Sequence, residues 1–163
     1  FGSTLGNLSS GQAQLYLSGL AEVMDPGDNL LLGVDMVKDQ KVLESAYNDS
    51  RGITAEFNRN ILRVANRLAG TDFDPETFKH IAFFNQEHSR IEMHLEAKLD
   101  MIINSPHLSS GIPIKKGERI HTENSHKFTP GQLELMIESA GLRIEKLYTD
   151  PKKWFSLILI VRD

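Results

Sequence analysis

The chain has 163 residues, 40% apolar and 25% charged, enough for one domain with a sizeable core and of ordinary soluble composition. A net charge of −4 argues against a general nucleic-acid binder, and the lack of cysteine excludes a disulfide framework, a thiol nucleophile and a zinc ribbon. No apolar run approaches the ~20 residues of a membrane-crossing helix, so an integral membrane protein is not expected, and the lack of cysteine is compatible with a reduced, cytoplasmic home, which is the expectation.

The chain opens on Phe1-Gly2-Ser3-Thr4-Leu5-Gly6-Asn7, without initiator Met, signal-peptide pattern or polar lead-in, and reads as one entered in the middle of a domain. Ser9 followed by Gln12 is a capping-box signal ahead of Leu15, Leu17, Leu20, Val23 and Met24, and predicts a helix from about 10 to 24. Pro26-Gly27-Asp28 then turns the chain. Asn29 to Asp35 reads as a short strand buried on both faces, ending on an acid.

Asp39 can cap a short helix through Ala46. After the Tyr47-Asn48-Asp49-Ser50 break, Ile53, Phe57, Ile61, Val64 and Leu68 recur at helical spacing on one face. Arg59, Arg63 and Arg67 form a second stripe, read as solvated, and Gly70 is a plausible terminator. Residues 80–85 and 90–97 read as extended. In the second of these Ile91, Met93, Leu95 and Ala97 alternate with Glu92, His94 and Glu96, as in a half-buried strand. Residues 104–117, rich in Ser, Pro and Gly, are expected to form a loop before a strand at 118–124. Thr129-Pro130-Gly131-Gln132 starts a helix that runs to about 140 and stops at Gly141, and strands at 142–149 and 154–161 close the chain.

Several chemistries can be weighed from residue types alone. Glu87-His88, Glu92-x-His94 and His121-x-Glu123-x-x-His126 could be assembled into a metal site, but no His pair has the i, i+4 helical spacing that brings two imidazoles to one zinc, and no metal is expected. A serine hydrolase would need a G-x-S-x-G elbow, and a phosphate loop would need Gly-Lys-Ser/Thr; neither is present. Gly2-x-x-x-Gly6 is a glycine-rich turn, either a ligand-binding strand end or simply a tight turn. In an extended chain Glu123 and Ser125, two apart, project to one side, where a carboxylate and a hydroxyl could address two polar atoms of one small ligand. Spacing alone leaves open the other reading, a solvated Glu beside a turn-capping Ser.

The order of Gly2-Ser3-Thr4-Leu5-Gly6-Asn7, Leu31-Leu32-Gly33-Val34-Asp35-x-Val37-Lys38-Asp39, Ala46-Tyr47-Asn48-Asp49, Thr54-Ala55-x-Phe57-Asn58-Arg59-Asn60, Arg90-Ile91-Glu92-Met93-His94-Leu95 and Glu123-x-Ser125-x-Lys127-Phe128 goes further. This set resembles the histidine-specific Nα-methyltransferases, the S-adenosylmethionine-dependent enzymes that make trimethylhistidine (hercynine) for ergothioneine. The resemblance covers essentially the whole chain and matches the C-terminal half of such an enzyme.

It implies an α/β fold: the C-terminal part of a class I (Rossmann-like) methyltransferase sheet with an inserted α+β substrate-binding region. On this reading 1–38 are later strands and a helix of the core, 39–128 the insertion, and 129–163 the closing helix and strands. It further implies that Asn7 binds the amino-acid end of histidine, that Tyr47 contacts the substrate backbone, and that Glu123 and Ser125 hold the imidazole with Met93 near the ring. Ordinary core packing is an equal reading for Met93. Neutral imidazole offers one donor and one acceptor nitrogen, so a carboxylate beside a hydroxyl is a credible reader of that ring.

The implied reaction is attack of the neutral α-amine on the methyl carbon of the sulfonium, up to three times, with alignment rather than a dedicated base supplying most of the catalysis. The glycine-rich cofactor loop and the acid after the second strand are not found in these residues, so this polypeptide alone is expected to bind S-adenosylmethionine poorly; micromolar affinity by calorimetry would overturn that expectation. Two further readings remain: a methyltransferase for another amino acid or small amine, and a non-catalytic binding module. Neither a nucleic acid nor a membrane is expected as a partner.

Overall fold

A computed structural model describes residues 2–162; Phe1, the first residue of the opening motif, lies outside them. Local signals set most helix boundaries. Ahead of α1 (Ser10–Val23), Ser9 Oγ accepts from Gln12 N at 3.3 Å while Gln12 Oε1 accepts from Ser9 N at 3.0 Å, the reciprocal capping that the sequence predicts. The helix buries Ala13, Leu17 and Ala21, spaced by four, on one stripe. Thr129 and Gln132 repeat the same box ahead of α4 (Pro130–Ser139), with Pro130 in the first turn, where its missing N–H costs nothing. α4 buries Leu133 and Ile137, and Gly141 beyond it has a φ of 74°.

These helices belong to one of two compact units, built from the stretch up to Asp39, Asn85–Ile91 and the stretch from Asn124 onward. Its sheet has the order β1 (Asn29–Asp35), β8 (Phe155–Val161), β7 (Arg143–Thr149), so the last strand lies between the other two and runs antiparallel to both. Leu32 faces Ile158 and Leu30 faces Ile160 across the first pairing. Leu5, Leu17, Leu32, Val34, Leu133, Ile137, Ile158 and Ile160 form the core, all fully or almost fully buried. Each such side chain contributes about 1.5–3 kcal/mol by burial. β1 is not buried along its whole length as its apolar run suggests: Leu31 is 46% exposed, and only Leu32, Gly33 and Val34 are enclosed.

The second unit comprises Gln40–Phe84 and Glu92–Glu123. It contains α2 (Gln40–Tyr47), α3 (Ile53–Ala69) and most of a sheet of order β2 (Phe78–Asn85), β3 (Arg90–Ala97), β6 (Arg119–His126). Leu62, Phe78, Leu95, Ala97, Ile103 and Ile114 form its core, and Phe73 meets Phe78 edge-on at 5.9 Å. Asp49 starts α3 by accepting from the backbone N–H groups of Ile53 at 3.0 Å and Thr54 at 2.8 Å, which holds its carboxyl at a pKa of about 2; Gly70 ends the helix at a φ of 60°.

The helix does not bury the stripe that its periodicity singles out. Asn58 and Leu62 are buried, whereas Phe57 is 65% and Leu68 73% exposed. The region expected to be all loop after residue 104 contains a strand: β5 (Ile112–Ile114) pairs antiparallel with β4 (Met101–Ile103), with Pro113 opposite Ile102. Among the described residues no helix is long and apolar enough to cross a membrane.

Candidate functional site

Asn7 is the exposed last residue of a 3-10 turn, Ser3–Asn7, that is pinned by Leu5, which is fully buried. Gly6 is required here by space: a Cβ on it would lie 2.9 Å from the His126 carbonyl oxygen, closer than real Cβ contacts allow. A cavity of about 480 Å³ lies beside this turn, lined by Leu8, Ser9, Arg90, His126 and Lys127 among others. Burial, and secondarily the Arg90 charge, lowers the pKa of His126.

In the same unit Ser125 is tied to an ion network at the end of β1. Lys127 is 2% exposed; its Nζ donates to Ser125 Oγ at 2.8 Å and lies 2.9 Å from Asp35 Oδ2. Asp35 also pairs with Lys38, which donates to the Trp154 carbonyl at 3.0 Å. The backbone reinforces the arrangement. Phe128 N donates to Asp35 O at 3.1 Å and Val37 N to Phe128 O at 2.9 Å. A buried ammonium is tolerable only when paired and hydrogen-bonded, and Asp35 with Ser125 supplies both.

In the second unit Tyr47 ends α2 half-buried, and a hydrogen-bond relay holds its carbonyl. Asn58, 3% exposed, donates from Nδ2 to His80 Nδ1 at 2.9 Å and to His94 O at 3.1 Å. An amide N–H can only donate, so His80 carries its proton on Nε2 and donates from there to Tyr47 O at 2.9 Å. The next residue, Asn48, donates to Glu44 O at 2.8 Å and Ala82 O at 3.0 Å. Glu44 in turn accepts from Phe84 N at 3.0 Å, a bond that lowers its pKa, with Gln40 assisting.

Glu123, on β6, lines a cavity of about 200 Å³ with Phe57, Asn58, Asn60, Ile61 and Thr122. Met93 is 2% exposed and does not line that cavity; its carbonyl accepts from Thr122 Oγ1 at 2.9 Å. The second unit therefore brings Asn58 to both the Tyr47 anchor and the Glu123 cavity, which the spacing of these residues does not announce. Lys127, Asp35, Asn58 and His80 are the residues that sequence reasoning missed as parts of the site. The first three stand inside the motifs quoted above, the only signal that could have found them.

Glu92, His94 and His121 come together as a possible metal-binding trio, their ligand atoms within 4.8 Å of one another. Their geometry serves another purpose. His94 Nε2 meets Glu92 Oε2 at 3.1 Å, and the His94 ring stacks on His121 at 4.4 Å and 19° and on Phe83 at 5.4 Å and 12°. Lone pairs of near-parallel stacked rings do not converge on a tetrahedral ion with ~2 Å bonds. His94 Nδ1 is buried without a hydrogen-bond partner, and burial, partly opposed by Glu92, lowers the His94 pKa.

A cradle for S-adenosylmethionine needs a glycine-rich turn between a strand and a helix, with an acid after the next strand. Among the described residues the Gly2–Gly6 turn leads into α1 with no described strand before it. The next strand, β1, ends on Asp35, but the strands of the first unit pair antiparallel and not in the parallel order that such a cradle uses. These residues do not fit the cofactor by themselves.

Comparison with known proteins agrees with the motifs. Residues 1–162 match the family described as histidine-specific methyltransferase, SAM-dependent. The chain is 44% identical over 161 residues to the histidine N-alpha-methyltransferase of Mycolicibacterium smegmatis, covering 99% of this chain and 50% of that protein. It is 33% identical over 144 residues to ergothioneine biosynthesis protein 1 of Neurospora crassa, covering 86% of this chain and 16% of that one. The chain thus spans about half the length of the bacterial relative. In fold it is similar to the CcbJ methyltransferase from Streptomyces caelestis, with a TM-score of 0.51 and 14% identity over 99% of this chain and 58% of that one. With its family match running almost end to end, the chain belongs to the SAM-dependent histidine-specific methyltransferases.

Proposed function

We propose that this chain supplies the histidine-holding part of an S-adenosylmethionine-dependent Nα-methyltransferase that converts L-histidine to trimethylhistidine in the cytoplasm. The observation that carries the reading is the end of β6 with its neighbours: Glu123 lines a small cavity, and two residues on the Ser125 hydroxyl is fixed by a buried lysine. In this reading 39–128 is the substrate-binding insertion, and 1–38 with 129–163 belong to the core. Glu123 accepts the N–H of the imidazole and Ser125 bonds its other nitrogen. Asn7 and Tyr47 hold the amino-acid end, with Tyr47 placed by the His80–Asn58 relay. Met93 contributes by packing behind the ring.

Such a site disfavours a side chain without ring nitrogens, because desolvating Glu123 and Ser125 would then bring no hydrogen bonds from a ring in return. These residues act by positioning: they align the α-amine with the methyl donor, and the amine gives up one proton to solvent for each methyl it gains. The test is to incubate the complete gene product with L-histidine and S-adenosylmethionine and follow mono-, di- and trimethylhistidine by mass spectrometry. Trimethylhistidine as the end product supports the reading. Methylation of another amino acid in preference to histidine would replace it, and no methyl transfer to any amine would favour a non-catalytic module.

A further inference from the structure

Lys127 has no role in the chemistry described so far, yet it is among the most enclosed charged groups of the first unit, at 2% exposure. An ammonium has three donors and no acceptor. One of its contacts is the Asp35 carboxylate at 2.9 Å and another is Ser125 Oγ at 2.8 Å. Asp35 is shared with Lys38, so the carboxylate keeps a cationic partner if Lys127 is changed. Backbone bonds from Phe128 N to Asp35 O and from Lys127 N to Ser89 O hold the lysine's own main chain on both sides, at 3.1 and 2.8 Å.

Burying the Lys127 ammonium beside Asp35, whose side chain keeps 26% exposure, brings little net stability, since the ammonium must be stripped of water. What it does bring is direction. Because Lys127 can only donate, Ser125 Oγ is the acceptor in their bond, and the serine's own O–H is turned away from the ammonium. A serine on a strand otherwise rotates among three staggered positions at little cost.

We propose that Lys127 is a positioning residue for the substrate: clamped by Asp35, its ammonium fixes the rotamer and polarity of the Ser125 hydroxyl, so that serine presents a donor to the ring nitrogen of the bound amino acid. This rests on the assignment of Ser125 as a ring-holding residue. Lys127 acts through Ser125 and does not itself touch the reacting atoms.

The test is a double-mutant cycle in the complete gene product, reading KM for histidine, KM for S-adenosylmethionine and kcat for K127M, S125A and the double variant, with K127R as the conservative replacement. The expected result is a ~10–100-fold rise in histidine KM for K127M, the size of one lost charge-assisted arrangement. The S-adenosylmethionine KM stays within about twofold. The double variant is no worse than S125A alone, as strongly coupled residues require, and K127R recovers most of the loss. If K127M does not unfold cooperatively, Asp35→Asn takes its place in the cycle with the same expected coupling. Effects of K127M and S125A that multiply, or a K127M histidine KM within about twofold of wild type, overturn the inference while leaving the proposed function intact. A wild-type protein that does not use histidine overturns both.

Discussion

Asn58 offers the sharpest test of how the second unit holds Tyr47. Its side chain is 3% exposed and bridges His80 Nδ1 at 2.9 Å and the His94 carbonyl at 3.1 Å, while His80 reaches the Tyr47 carbonyl at 2.9 Å. Asn58→Ala removes both bonds at once. Each is worth about 0.5–1.5 kcal/mol net, and a ring nitrogen left without a donor adds about 1 kcal/mol or more, so the expected loss is about 2–4 kcal/mol. For a chain of this size about 2–4 °C of Tm accompany each kcal/mol, giving a drop of about 5–15 °C by calorimetry or circular dichroism. Asn60→Ala, at an exposed position on the same helix, is the control and should change stability by about 0.5 kcal/mol at most. His80→Ala in the Asn58→Ala background should cost less than it does alone, because the two share a bond. A drop below about 2 °C for Asn58→Ala, or full additivity of the pair, would refute the relay.

Other changes have equally definite outcomes. Gly6→Ala forces a methyl to within 2.9 Å of the His126 carbonyl and should cost about 1–3 kcal/mol in thermal unfolding, with a raised histidine KM because Asn7 is the next residue; a neutral effect would contradict the steric account. His94 and His126 both have pKa values lowered by burial, so between pH 6.5 and their lowered values the unfolded chain binds more protons than the folded one. Tm should therefore fall as pH drops from 7.5 towards 5, and fall less in His94→Gln; an unchanged slope would contradict this assignment. Asp49, with a pKa of about 2, stabilises the start of α3 fully above pH ~4 and loses that contribution as pH falls through about 2. An NMR titration of its carboxyl should place it near 2, and a value near 4 would mean that the helix cap does not form.

What could be read from the sequence follows the range of the interaction involved. Ser9-x-x-Gln12 and Thr129-x-x-Gln132 form their caps within four residues, and both appear in the structure as spacing predicts. The alternation of residues 90–97 likewise marks β3, with Ile91, Met93, Leu95 and Ala97 all buried, but the face expected to be open is not: Glu92 is buried too and pairs with a largely enclosed His94. The β4–β5 hairpin was hidden because Pro113, which lacks an N–H, and a Ser/Gly-rich approach are loop signals, and only the pairing with Met101–Ile103 makes it a strand. On α3 the enclosed residues are Asn58 and Leu62 instead of the apolar stripe, and it is the Asn58 amide, bonded to His80 and the His94 carbonyl, that no apolar periodicity marks.

The candidate site divides in the same way. Glu123 and Ser125 could be singled out from their spacing of two, whereas the partner that fixes Ser125, Lys127, is itself held by Asp35 from a distant part of the chain. That pairing arises from the backbone bonds joining Asp35–Val37 to Phe128, which no local pattern encodes. The His80–Tyr47 bond is of the same kind, joining a strand residue to the last carbonyl of a helix.

Whether these residues form a histidine reader is decided by kcat/KM of the complete gene product for histidine against the other amino acids, before and after Glu123→Ala. With a histidine reader in place, histidine is the best substrate and Glu123→Ala lowers its kcat/KM by about 10–100-fold, chiefly through KM, the cost of losing one charge-assisted bond to the ring. A Glu123→Ala variant that uses histidine as well as the wild type would contradict it.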